Sequence, residues 1–381
     1  MTVLAPDRLF DGERIRTGAA VAFDGACISA TSDTAPPGAI RLSGLLAPGF
    51  IDLQVNGGGG VLFSDAPGRE ALRTLLDVHM GRGATGVMAS LISSERTVMT
   101  AAMSAVGEAL RYGQDGLLGL HLEGPWLAPS RRGVHPASAL RPMDEDDIDL
   151  LTRQADYPLM VTLAPECASP AQIARLVAAG VRVSLGHTAA DVDTVMRAID
   201  AGASGFTHLF NAMPPLDSRQ PGPVGAALSC ADAWAGLILD GIHVHPAAAR
   251  SAYLAKTAQR LMLISDAMPS VGGPQSLNLF GETVRLSGGA LRTASGVLAG
   301  AHLDMAGAVR NAVRLMGASE ADALRMATLS PACFLGVDAG RGRIAPGARA
   351  DFVLLDEELN VTGVWTGGRR LTRGPASGVT V

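Results

Sequence analysis

Eight short apolar runs, helix-like stretches between them and β-type alternation confined to the two ends predict an α/β chain. The expected architecture is a (β/α)8 TIM-like barrel with a small β-sandwich domain formed by both chain termini. The runs are FIDLQVNG (50–57), GVMASLIS (86–93), LLGLHLEG (117–124), LMVTLAPE (159–166), VRVSLGHT (181–188), GFTHLF (205–210), AGLILDGIHV (235–244) and LMLISDAM (261–268). Strands buried on both faces read as continuous apolar runs, and helical crossovers make them parallel. Crossover helices are expected in segments such as AQIARLVAAG (171–180) and DVDTVMRAID (191–200). Ser169-Pro170 and Asp191 are good helix starts, and Gly180 and Gly202 suit helix ends. Eight such units favour a barrel over a doubly wound sheet.

The ends read differently. Residues 1–47 are short alternating segments with turns, and 340–357 reads as a strand, a Pro-Gly turn and another strand. GVWTGGRRLTRG (363–374) reads as a further hairpin. The expected division is 1–47 with 338–381 as the small β domain and 48–337 as the barrel. The segment 276–300 is too long for a simple loop, so a hairpin inserted after strand eight, with a lid role, is expected there.

Composition narrows the function. The 381 residues are 48% hydrophobic and 18% charged, with a net charge of −5. No basic stripe suits nucleic acid, and no apolar run has the ~18 residues of a membrane span. Cys27, Cys167, Cys230 and Cys333 are scattered without a CxxC pair, which fits a reducing cytoplasm and argues against a cysteine metal site. The segment MTVLAPDRLFDGERIR carries acids early and no long apolar core, so no secretory leader is expected. Lys256 is the single lysine.

Four residues lie at the C-terminal ends of predicted strands three, five, six and eight: Glu123, His187, His208 and Asp266. Active sites of β/α barrels occupy that face. Two histidines and a carboxylate form a ligand set for a catalytic ion with an open position, and Asp266 is a carboxylate placed to move protons. Singly, each residue reads more often as a buried polar group or a helix cap than as a ligand. Together they form a metal hydrolase site, in which a bound ion lowers the pKa of water from about 15.7 to about 7.

PGFIDLQVNGGGG (48–60), HLEGPWL with RGVHP (121–136), GHTAA (186–190), THLFNAM (207–213), DGIHV (240–244), SDAM (265–268) and ARADFVLLD (348–356) resemble, in order, the N-acetylglucosamine-6-phosphate deacetylases of the amidohydrolase superfamily. The resemblance implies hydrolysis of an N-acetylated, 6-phosphorylated amino sugar to acetate and free amine. A metal-activated water attacks the acetyl carbonyl, with Asp266 as base and then acid. It implies that Glu123, His187 and His208 hold the metal and that His135 polarises the carbonyl. Asn211, the backbone of Ala212, Arg219 and His243 match phosphate contacts, some of which the neighbouring subunit supplies, so a homodimer is expected. Without the resemblance, His135 reads equally as a surface loop histidine, and Arg219 more often as a solvated arginine than as a phosphate fork. The GGGG loop (57–60) lacks the following Gly-Lys-Ser/Thr of a P-loop and reads as close backbone packing.

Two departures sharpen the expectation. Where many amidohydrolases carry His-x-His, this chain has Gln54-Val55-Asn56, and neutral amides are poor ligands for a transition-type ion. Lys256 lies in a helix-like stretch, so no lysine is available to bridge two ions. One divalent ion per subunit is expected, zinc first, with Fe2+, Co2+ or Mn2+ also accepted by such a site. Ala301 stands where the family often has serine, with His302 beside it. The competing readings are the galactosamine-6-phosphate epimer as substrate, an amidohydrolase acting on a cyclic amide, and a catalytically dead scaffold. The sequence chooses neither the metal nor the epimer.

Overall fold

The computed structural model describes residues 1–153 and 156–372; the expected terminal segment from 373 onward lies outside the described residues. All eight expected barrel strands form: Phe50–Val55, Ala84–Ile92, Leu117–Glu123, Leu159–Leu163, Arg182–Leu185, Gly205–Phe206, Trp234–Ile238 and Leu261–Ile264. They pair in chain order as one parallel sheet. The seam between the first and last is drawn together by Asn56 N donating to Ala267 O (2.9 Å) and Ser265 N donating to Asp52 Oδ1 (3.1 Å). Every residue of the strands at 50–55, 84–92 and 117–123 is buried, as two-sided packing demands.

The helices between strands follow the sequence signals. Helix Arg96–Arg111 buries Met99, Ala102, Val106 and Ala109, a spacing of three and four that puts one stripe on the sheet. Ser169 and Asp191 cap their helices, accepting from Gln172 N and Thr194 N. Gly180 and Gly202 end them with φ of 86° and 105°, a region where an L side chain is strained.

Both termini contribute to one eight-stranded sheet. Phe352–Leu355 pairs antiparallel with Ile40–Pro48, joining the two chain ends. A separate core of Leu4, Leu9, Val21, Ile28, Leu46, Phe352 and Trp365 lies against it. Only the second strand expected in 340–357 forms. The first is replaced by turns, because Arg341 and Arg349 both converge on the buried Asp351 and Gly342 turns at a φ of 75°. The insertion after strand eight is more extensive than one hairpin. Ser276–Leu279, Glu282–Ser287, Ala290–Thr293 and Leu298–Ala301 form a four-stranded antiparallel sheet. Its two-residue turns, Phe280-Gly281 and Gly288-Gly289, take positive φ at both positions, the form that matches strand twist.

Candidate metal centre and active site

Glu123 is the last residue of its strand, while His187, His208 and Asp266 each lie two residues beyond theirs. These three share a rare backbone: φ is 49°, 33° and 50°. Such a conformation costs a non-glycine residue roughly 1–2 kcal/mol. It turns the chain sharply as the strand ends, and the side chains meet over the barrel mouth. His187 Nε2 lies 3.2 Å from Glu123 Oε1, His208 Nε2 lies 3.0 Å from the same oxygen, and the two Nε2 atoms are 3.0 Å apart. All three residues are buried.

The donor set fits a divalent cation. His187 Nδ1 stands 2.8 Å from the Arg131 carbonyl, which can only accept, so Nδ1 carries the proton and Nε2 keeps its lone pair. Among the described residues His208 Nδ1 has no partner. Two ring nitrogens and a carboxylate oxygen thus converge on one point, and among the described residues the one neutral donor that reaches that oxygen is the Gln54 amide. Burial alone would raise the Glu123 pKa, but bonding to His187 and His208 outweighs it and holds the carboxyl well below its usual range. Burial likewise opposes charge on His208, yet the Glu123 carboxylate raises its pKa overall.

Asp266 faces this group. Burial, then the negative charge of Glu123, pushes its pKa up to about 7. Its Oδ1 accepts from Gln54 Nε2 (3.0 Å) and from Asn56 Nδ2 (2.7 Å). Gln54 Nε2 also donates to Glu123 Oε1 (2.9 Å). The Gln-Val-Asn triplet, noted in the sequence for the histidines it lacks, therefore has a role of its own. Its two inward amides tie the proton-moving candidate to the ligand candidate.

His135, also buried, completes the near side. Its Nε2 lies 3.9 Å from Glu123 Oε2, and its ring meets that of His187 edge-on at 4.5 Å. Burial and the neighbouring His187 push its pKa down to about 3, so the ring is neutral. Glu123, His135 and His187 offer ligand atoms within 4.8 Å of one another. Proximity alone therefore leaves His135 a second claimant for the ion.

A cavity of about 350 Å³ opens above these groups. Asn211, Ala212 and His243 line it together with Glu123, His135, His187, His208 and Asp266. Val297, Leu298 and Gly300 bring the four-stranded insertion to its edge. His243 is oriented by Asp240, whose Oδ2 is 2.6 Å from Nδ1. Arg219 is the exception among the expected residues. It is exposed on the 214–221 loop, its backbone N–H bound to Asp217, and does not line the cavity. Lys256 lies in the helix Pro246–Arg260 and donates to the Cys230 carbonyl, away from the site. His302 bonds Ser270 Oγ (3.0 Å). The GGGG loop is close backbone packing, as expected: Gly59 and Gly60 donate to Val271 O and Pro269 O, and a Cβ on Gly57 would lie 2.2 Å from Val61 O.

One layer deeper, sequence reasoning missed a polar belt. Ser90 Oγ accepts from Val55 N, Ser90 contacts His121 Nδ1 (3.0 Å), and His121 Nε2 contacts Thr162 Oγ1 (2.8 Å). Thr162, Thr207 and Ser184 continue it at 2.6 and 2.7 Å. The belt crosses strands one to six beneath the ligand candidates. Polar residues at interior positions of otherwise apolar runs were the available signal.

Comparison with known proteins follows the same line. The Amidohydrolase family model matches residues 45–371. The N-acetylgalactosamine-6-phosphate deacetylase of Shewanella sp. (strain ANA-3) is 46% identical, covering 86% of this chain and 84% of its own. The human N-acetylglucosamine-6-phosphate deacetylase is 37% identical over 87% and 85%. The solved structure of a mutant Mycobacterium smegmatis N-acetyl-D-glucosamine-6-phosphate deacetylase, in complex with N-acetyl-D-glucosamine-6-phosphate, is 34% identical. It superposes with a TM-score of 0.91 over 97% of this chain and 98% of that one. On fold, sequence and extent of match alike, this chain belongs to the amidohydrolase family.

Proposed function

We propose that this chain is a metal-dependent deacetylase that hydrolyses N-acetylglucosamine-6-phosphate to glucosamine-6-phosphate and acetate. The observation that carries the reading is the convergence of Glu123 Oε1, His187 Nε2 and His208 Nε2, facing Asp266 across a cavity of about 350 Å³. Deacetylases of this substrate class among the relatives support it.

In this reading Glu123, His187 and His208 hold a single divalent ion, zinc in the first instance. When bound, the ion acidifies a water and polarises the acetyl carbonyl. Asp266, with a pKa raised toward neutrality and its Oδ1 fixed by Gln54 and Asn56, takes the proton of the attacking water. It returns that proton to the nitrogen as the C–N bond breaks, so one carboxyl serves as base and then acid. His135 stabilises the charge that develops on the acyl oxygen. Asn211, the backbone of Ala212 and His243 bind the phosphate end of the sugar. Arg219, exposed and outside its own cavity, suits the expected homodimer, where it would reach the phosphate in the partner subunit. Of the expected small domain, residues 1–47 and 338–372 form the unit beside the barrel 48–337, the stretch 373–381 lying outside the described residues, and the enzyme acts in the cytoplasm.

The test is acetate release from N-acetylglucosamine-6-phosphate, its galacto epimer and the unphosphorylated sugar, with and without chelator. Preference for the phosphorylated gluco substrate and loss of activity on metal removal are expected. Equal turnover of the unphosphorylated sugar would remove the roles given to Asn211, Ala212, Arg219 and His243. A second reading, the galacto epimer, draws its support from the Shewanella and Escherichia coli O157:H7 relatives, which carry that name at 46% and 40% identity. The same assay decides it.

A further inference from the structure

We infer that Ser93 is a positioning residue for the deacetylation. It holds His135 in the tautomer that carries its proton on Nε2, which makes that ring a hydrogen-bond donor toward the substrate instead of a metal ligand. The inference rests on the proposed reaction and deepens it.

Ser93 follows directly on the second barrel strand, Ala84–Ile92, and is buried. The parallel ladder with the third strand ends at the pair Ile92 and Glu123, so the Ser93 backbone N–H is past the last ladder bond. It finds His135 Nδ1 at 3.3 Å, and Ser93 Oγ lies 2.8 Å from the same nitrogen. The backbone amide proton is fixed and, at 3.3 Å, biases Nδ1 toward accepting, a bias that the closer hydroxyl completes. With Nδ1 accepting, the hydroxyl gives its one proton to that nitrogen at 2.8 Å in preference to the Glu123 carbonyl at 3.3 Å, because two lone pairs do not hold a 2.8 Å contact. The ring proton is left on Nε2. In the opposite tautomer the Nδ1 proton would face the backbone N–H. The hydroxyl would then turn to the Glu123 carbonyl, 3.3 Å away.

Local backbone is shaped to admit this hydroxyl. Gly124 has a φ of 83°, and a Cβ there would lie 2.2 Å from Ser93 Oγ. Any side chain at position 124 would displace the group that contacts His135.

The same logic assigns His187 the opposite state. Its Nδ1 faces a carbonyl, so its Nε2 keeps a lone pair. Two neighbouring imidazoles with ring centroids 4.5 Å apart thus present opposite faces to the site, a ligand atom from one and an N–H from the other. This separates two residues that proximity groups together. Without the Ser93 hydroxyl, His135 is freer to present a lone pair to the ion and to lose its donor.

The experiment uses the full-length, zinc-loaded protein labelled with 15N-histidine, with His135 signals assigned by difference against His135→Gln. In the wild type, Nε2 should be the protonated nitrogen. Ser93→Ala should show a mixed tautomer at His135 while still binding one equivalent of zinc. Its kcat should fall about tenfold or more, with KM held within about twofold, and Ser93→Thr should recover most of the loss. A proton on Nδ1 in the wild type overturns the inference, as does a Ser93→Ala protein that keeps wild-type kcat. The wild-type spectrum needs neither substitution nor substrate. It therefore stays decisive if Ser93→Ala fails to fold, and it is separate from wild-type acetate release, on which the proposed reaction itself stands.

Discussion

Two buried carboxylates, Glu123 and Asp147, are alike in chemistry and opposite in completeness. Asp147 is fully enclosed and saturated. It accepts from Arg141 at both oxygens, from Arg96, from Trp126 Nε1 (2.8 Å) and from Asp144 N (3.2 Å). Burial would raise its pKa, but those donors outweigh burial and hold it at about 2. Glu123 is equally buried, yet its neighbours are two imidazole nitrogens crowded within 3.2 Å of each other and of its oxygen. Around it, His208 Nδ1, Gln54 Oε1 and Asn56 Oδ1 lack partners among the described residues. A satisfied charge cluster finishes a fold. A convergent and unfinished one marks chemistry.

Substitution separates the two carboxylates. The largest expected effect lies at Asp266. Asp266→Asn should lower acetate release by about 10³-fold or more while one equivalent of metal stays bound; near-normal turnover would sink its assignment as base and acid. Next is the saturated cluster. Asp147→Ala leaves the buried Trp126 Nε1 without its acceptor and removes the Arg141 pair, while Arg96 keeps Asp144 and Asp146, and should cost about 2–3 kcal/mol in denaturant or thermal unfolding, with kcat per folded molecule unchanged. The sign of its pH dependence follows from a pKa below the ordinary carboxyl value. Its stabilisation is complete above about 3.8 and is lost as pH falls toward about 2, which acid unfolding of wild type against variant would read. If Asp147→Ala loses activity without losing stability, the contrast with Glu123 fails.

Smaller effects test the link between the two halves of the site. Gln54→Ala removes the donor shared by Glu123 and Asp266, and kcat should fall roughly tenfold to a hundredfold with KM little changed. An unaltered kcat would make the bridge incidental. The acid limb of the rate profile is the next check. Asp266 must be deprotonated to act as base, and a nearby cation lowers its pKa. The rate should therefore fall about tenfold per pH unit below a midpoint at or under about 7. Arg219→Ala should act mainly on KM for the phosphorylated substrate, by about tenfold, and leave the unphosphorylated sugar untouched.

Much of this was legible in the sequence, for physical reasons that also mark where it stopped. Barrel strands announce themselves as apolar runs, and the fold dictates that their C-terminal ends share one mouth. Glu123, His187, His208 and Asp266 could thus be placed together although 143 positions separate the first from the last. Gln54 and Asn56 were visible only as histidines not present. Their bonds to Asp266 span more than two hundred residues, and no local pattern encodes which amide meets which carboxylate. Ser93 was less visible still, since a serine after a strand is ordinary and its meaning comes entirely from His135. The insertion was underestimated because LNLFGETVRL (277–286) reads as one piece of a hairpin until Phe280-Gly281 is seen to turn within it. Arg219 illustrates the reverse limit: the motif is present, but the fold of this chain does not bring it to the cavity.

The left-handed backbone at His187, His208 and Asp266 has a consequence for how such a chain ages under mutation. A glycine at any of these positions would adopt the observed φ without strain and relax the fold by about 1 kcal/mol each. The drift that stability alone favours thus runs toward an inert barrel, one working residue at a time. Each of the three is thus present for the side chain it holds over the cavity, at the expense of the backbone it must adopt.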